Sequence, residues 1–107
     1  MDTYRLDSAW DALGDRTRRG ILECLARGPC AVGELAAALP VSRPAVSQHL
    51  KVLKDAGLVV DRAEANRRIY RLNPAGMGAL RDQLDTFWNR ALGNFQAVVE
   101  QRDGEGQ

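Results

Sequence analysis

The sequence predicts a mainly helical α+β domain with one β-hairpin, in the order α-α-α-α-β-β-α, and three observations lead there. Apolar residues recur at helical spacing over most of the chain. Between Leu58 and Leu72 the spacing changes to alternation. At nearly every boundary stands a residue that ends one element or starts the next. A length of 107 residues fits one domain with a modest core.

The first helix is expected over roughly Tyr4 to Leu13, where Leu6, Ala9, Trp10 and Leu13 share a face. Gly14 ends it, and Asp15 can cap a second helix running to about Arg27 with Ile21, Leu22 and Leu25 inward. Gly28-Pro29 terminates that helix. A short third helix, Val32 to Leu39, closes at Pro40. Ser42 is an N-cap for the fourth, with Pro44 in the first turn where its missing N–H costs nothing, and with Val46, Leu50 and Leu53 buried. Gly57 follows as a C-cap glycine. Leu58–Arg62 and Arg68–Leu72 read as strands, and Asn66 between them suits a positive φ. Asn73-Pro74 opens a last helix to about Glu100, which Gly76, Gly78 and Gly93 weaken locally. One domain over residues 1–101 and a polar, disordered tail over 102–107 are expected.

An apolar fraction of 45% and a charged fraction of 27% exclude a disordered or membrane-embedded chain. No basic segment followed by an apolar stretch opens the sequence, so a cytoplasmic protein is expected. The net charge of +1 conceals an uneven distribution. Residues 43–71 hold seven Lys/Arg against three acids, a local charge of +4, while residues 1–14 and 72–107 each sum to −2. An anionic partner responds to such a local surface and not to the total.

Leu35 to Leu53 has the form of a helix, a tight turn at Pro40-Val41-Ser42, and a second helix. Opposite its buried stripe, the second helix offers Ser42, Arg43, Pro44, Ser47, Gln48 and Lys51. Short polar side chains let a backbone approach the major groove, Gln48 can bond adenine through two atoms, and Arg43 can read guanine or hold a phosphate. Arg62, Arg67, Arg68 and Arg71 lie on or beside the hairpin that follows, where they can rest on the DNA backbone or minor groove. Helix-turn-helix plus basic hairpin is the pattern expected of a winged helix-turn-helix that binds double-stranded DNA. A winged helix that binds protein is the rival reading, and it would show apolar groups on that same face.

These residues carry a resemblance. Ala12-Leu13-Gly14-Asp15, Thr17-Arg18-Arg19 and Ile21-Leu22 resemble the opening of the ArsR/SmtB family of winged-helix repressors. So do Val32–Ala36, the run Val41–Leu53 with its Ser47-x-His49-Leu50-x-x-Leu53 core, Ala56–Val59, and Arg68–Leu72. The similarity spans about residues 9–92. It implies a homodimeric repressor on a palindromic operator, released by a signal. The positions matching the family's reading helix are Ser42, Arg43, Ser47, Gln48, His49 and Lys51. Arg16 and Ala31 depart from the pattern, standing where proline and a capping Ser or Thr are usual, and the wing tip lacks the common glycine. Metal sensors of this kind carry Cys-x-Cys in the third helix or His and acids in the last. Here the third helix has no ligand after Glu34 and the last has no His, so no metal or other cofactor is expected.

Leu6 and Trp10 of the first helix and Leu84, Phe87, Trp88, Leu92 and Phe95 of the last are more apolar bulk than a domain this small can bury alone. A twofold dimer would cover them and set two reading helices about 34 Å apart. Cys24 reads as a small core residue and Cys30 as more exposed. A thiol-responsive repressor using the two is a secondary alternative. An enzyme is not expected, since the chain has one His, no Gly-rich phosphate loop and no supported Ser-His-Asp or Cys-His order.

Overall fold

The computed structural model describes residues 2–105, with side chains from 7 to 100. Its elements are α1 (Asp2–Leu13), α2 (Arg16–Arg27), β1 (Cys30–Ala31), α3 (Val32–Ala38), α4 (Arg43–Asp55), β2 (Val59–Glu64), β3 (Arg67–Leu72) and α5 (Pro74–Glu105). The expected order holds, with one addition. β1 is two residues long, too short for any periodicity to reveal. It exists because β3 offers it an edge, with Cys30 opposite Tyr70 and Ala31 opposite Ile69. The antiparallel sheet is thus ordered β1-β3-β2, and the hairpin register runs from Val59 opposite Leu72 to Glu64 opposite Arg67.

The strands leave a two-residue loop, Ala65-Asn66. The positive φ falls on Ala65 (55°), the first residue of the loop, and not on Asn66.

Each helix end is closed by named groups. Arg18 Nε and Arg19 Nη1 donate to the Ala12 and Leu13 carbonyls at 2.9 and 2.7 Å, satisfying acceptors that the end of α1 leaves open. Asp15 caps α2 by accepting the Arg18 backbone N–H at 3.0 Å, and that bond holds its carboxyl below the ordinary value. Ala31 has no side chain with which to cap α3. Glu34 closes the turn instead, accepting the Ala31 N–H at 3.1 Å, so the helix starts at Val32 despite the departure. Ser42 Oγ accepts the Ala45 N–H at the start of α4. At its end, Gly57 takes φ 81°, with Gly57 N–H on Lys54 O and Leu58 N–H on Leu53 O, the paired bonds of a Schellman motif.

The core gathers Ile21, Leu35, Val46, Leu50, Leu53 and Leu58, all fully buried, with Val59 beside them and Leu80 as the contribution of α5. α5 is anchored at its root. Asn73 donates from Nδ2 to Gly57 O at 2.8 Å and from its N–H to Leu58 O at 2.9 Å. A Cβ placed on Gly76 would stand 1.8 Å from Gly57 O, so the glycine that weakens the helix is what lets it dock.

Beyond Leu80 the helix leaves the domain. Every side chain from Arg81 to Glu100 is exposed, and the molecule measures 71 × 31 × 21 Å. Its radius of gyration of 18.8 Å compares with about 13 Å for a compact chain of this size. Gly78 and Gly93 do not interrupt the helix. The backbone of α5 continues to Glu105, past the expected end near Glu100 and into the stretch read as a tail. Gly106 and Gln107, and the side chains from residue 101 onward, lie outside the described residues.

Candidate nucleic-acid interface

The Ser42 cap and the buried stripe Val46, Leu50, Leu53 together fix the rotation of α4. That rotation leaves Ser42, Arg43, Pro44, Ser47, Gln48 and Lys51 exposed on one side. Val52, one residue past Lys51, is the only exposed large apolar side chain of α4, so the face from Ser42 to Lys51 is polar where a protein-docking one would be apolar. His49 differs from these neighbours. It is half-buried, and it lies near enough to the start of α2 to bear on the Asp15 carboxyl, which the Arg18 backbone bond chiefly lowers.

The hairpin brings its arginines to the same region. A groove of about 400 Å³ is lined by Gly33 and Glu34 from the start of α3, Arg43 from α4, and Asn66, Arg67 and Arg68 from the wing. Arg43, Arg67 and Arg68 thus converge, although 24 or more positions separate the first from the others in the chain. Arg62, exposed on β2, is not part of that lining.

The wing cations have acid partners that composition did not reveal. Arg67 pairs with Glu34 at 3.6 Å, Arg62 with Glu64 at 2.6 Å and Arg68 with Asp61 at 2.9 Å. The Glu34 and Glu64 pairs are exposed on both sides and contribute about 1 kcal/mol or less, so phosphate can displace those two acids. Asp61 stands apart, because its side chain is only 6% exposed and it is also held by Lys54 Nζ at 2.8 Å. It clamps the wing to the last turn of α4, a positioning role that sequence reading missed. The signal was its parity with Val59, which turns an acid inward on a strand whose other charges face out.

The Lys54 bond, followed by that of Arg68, holds the Asp61 carboxyl below its ordinary 3.8. A depressed folded-state value gives stability that is fully present above the ordinary value and lost as pH falls through the depressed one. Asp61→Asn is therefore expected to be less stable than wild type at pH 7, with the gap closing below about pH 4. Urea unfolding at the two pH values checks this.

The two free cysteines are both half-buried. Cys30 donates from Sγ to Gly28 O at 3.5 Å, and burial, followed by the Glu34 charge, pushes its thiol up. Less thiolate at neutral pH weakens the thiol-responsive alternative.

On α5, Leu84, Phe87, Trp88, Leu92 and Phe95 are 46–66% exposed, and Val98 and Val99 extend the stripe beyond the expected set. Trp10 joins it from α1, donating from Nε1 to Gln83 Oε1 at 3.0 Å and sharing an apolar hollow with Leu84 and Phe87. The side chain of Leu6, expected on this surface, lies outside the described residues. No described helix is long and apolar enough to cross a membrane.

Residues 15–60 match the bacterial regulatory protein arsR family. The chain is 61% identical over 107 residues to an HTH-type transcriptional regulator of Mycobacterium tuberculosis, covering 99% of this chain and 97% of that one. It is 35% identical over 88 residues to the arsenical resistance operon repressor of Escherichia coli, covering 81% and 75%. The homodimeric winged helix-turn-helix DNA-binding domain from Mycobacterium bovis superposes with a TM-score of 0.67 at 29% identity, covering 81% of each chain.

Proposed function

This chain belongs to the arsR family of bacterial regulatory proteins, a winged helix-turn-helix transcriptional regulator and not an enzyme, and from that premise we propose a homodimeric repressor of a twofold-symmetric operator. α4 enters the major groove with Ser42, Arg43, Pro44, Ser47, Gln48 and Lys51 toward the bases and backbone. The wing sets Arg67 and Arg68 on the adjacent phosphates, with Arg62 at its outer edge. The observation that carries this reading is the convergence of Arg43, Arg67 and Arg68 in one groove beside an exposed, polar helix face. His49 acts mainly by holding α4 in place.

Dimerisation supplies the symmetry. The α1–α5 stripe is the surface that a second copy covers, and the Mycobacterium bovis neighbour, a homodimer, supports that arrangement.

Selection of bound fragments from random DNA, followed by fluorescence anisotropy at two salt concentrations, tests the proposal. Wild type is expected to prefer inverted-repeat duplexes and to lose affinity steeply as salt rises. Gln48→Ala is expected to reduce discrimination at one base position by about 1–3 kcal/mol. Arg67→Ala is expected to weaken all sequences alike and to lower the salt slope by about one. Equal binding of every polyanion by the wild type would overturn the assignment.

A further inference from the structure

We propose that the exposed face of α2 bearing Arg16 and Arg19 is a second seat for the DNA backbone, meeting the reading helix on the side away from the wing. The proposal rests on the DNA-binding reading above and extends it to residues outside both the helix-turn-helix and the hairpin.

A groove of about 630 Å³ separates α2 from the turn that enters α4. Arg16, Thr17 and Arg19 line it from α2, and Leu39, Pro40 and Val41 from the turn. Its walls are fixed by close packing, since a Cβ on Gly20 would stand 3.1 Å from Leu39 Cδ2. The wing groove borders the start of α3 and this one borders its end, so the two approach the first turn of α4 from opposite ends of α3.

A helix in a major groove about 12 Å wide has a sugar-phosphate strand on each side. The wing arginines serve one strand. The groove on α2 reaches the turn that leads into α4 through Pro40 and Val41, and it carries the charge that the other strand requires. Arg16 is exposed and, among the described residues, has no carboxylate partner, unlike Arg62, Arg67 and Arg68. Arg19 is exposed while one guanidinium nitrogen bonds Leu13 O. Asp15 is occupied in capping α2. Glu23, the acid of this groove, lies two turns along α2 from Arg16, about 10 Å, and one turn from Arg19, so Arg16 is the lining cation farthest from it.

The test uses full-length protein on its selected operator and compares wild type, Arg16→Gln and Arg67→Ala. Salt-dependent anisotropy and phosphate-ethylation interference are both read. Arg16→Gln is expected to lower the salt slope by about 0.9, the value for one phosphate no longer neutralised, and to weaken every duplex alike. It should also abolish interference at one group of phosphates, while Arg67→Ala abolishes it at a different group. Its melting temperature should match wild type, because Arg16 has no carboxylate partner among the described residues to lose. An unchanged slope with the full interference pattern would overturn the proposal, and that is also the outcome if the groove holds a small effector instead of DNA. Wild type that ignores duplexes sinks the functional reading itself. Wild type that binds while Arg16→Gln binds identically sinks this inference alone.

Discussion

Replacing Gly76 with alanine is expected to lower the thermal midpoint by more than about 10 °C. The added methyl carbon would stand 1.8 Å from Gly57 O, and 2.8 Å from Gly57 C. Neither atom is the tip of a flexible side chain. Gly57 is held at φ 81° by the bonds that close α4, and its carbonyl also accepts from Asn73 Nδ2. The root of α5 must therefore move away, and Leu80 leaves the core with it. Overpacking typically costs about 1–3 kcal/mol and sometimes more. In a domain this size each kcal/mol shifts the midpoint by roughly 4–8 °C. Gly78→Ala supplies the control. A Cβ there meets nothing within 4 Å, and alanine favours helix over glycine by about 0.8–1 kcal/mol, so the midpoint should rise. Calorimetry on both variants decides the matter. If Gly76→Ala melts with wild type, the close docking of α5 on the α4 turn is wrong.

The second large effect is on assembly. Phe87→Glu together with Trp88→Glu is expected to leave a monomer of 11.8 kDa in place of the proposed dimer and to weaken binding to the proposed operator at least about 100-fold, by removing the linkage between two half-sites. Phe87 and Trp88 are 63% and 59% exposed and lie beyond the last core residue of α5. The substitutions should therefore leave the far-ultraviolet circular dichroism and the fold unchanged. The aromatics keep 39–66% of their surface open and Leu84, Leu92, Val98 and Val99 add to it, so this stripe with Trp10 can supply much of the roughly 800 Å² per partner of a standard interface. Sedimentation equilibrium and anisotropy on the same samples check both parts. A variant that stays dimeric and binds its operator like wild type would show that this stripe is not the interface.

Much of the fold was legible because local chemistry and tertiary structure agree. Asp15, Ser42 and Gly57 each perform the cap that their residue type suggests, and the apolar period of α4 puts Gln48 and Lys51 outward with no help from the rest of the fold. Where reading failed, the determining partner was distant. Asn66 looks like the turn residue, yet the hairpin register assigns the positive φ to Ala65. β1 has no periodicity of its own and forms on β3 nearly forty residues later. Ala31 suggested a weak start for α3, which Glu34 repairs.

The order of the five helices and of the hairpin strands, the caps at Asp15, Ser42 and Gly57, and the polar face of α4 were thus determined by the sequence alone, because they depend on backbone sterics and on neighbours within about one helical turn. Only the tertiary structure decided that Asp61 faces inward to clamp the wing, that Gly76 is required for docking and not merely tolerated, and that Arg43 joins Arg67 and Arg68 in one groove. Those facts depend on contacts between residues far apart in the chain. No local period or residue preference encodes them, and they arise when burial of the shared core brings the elements together.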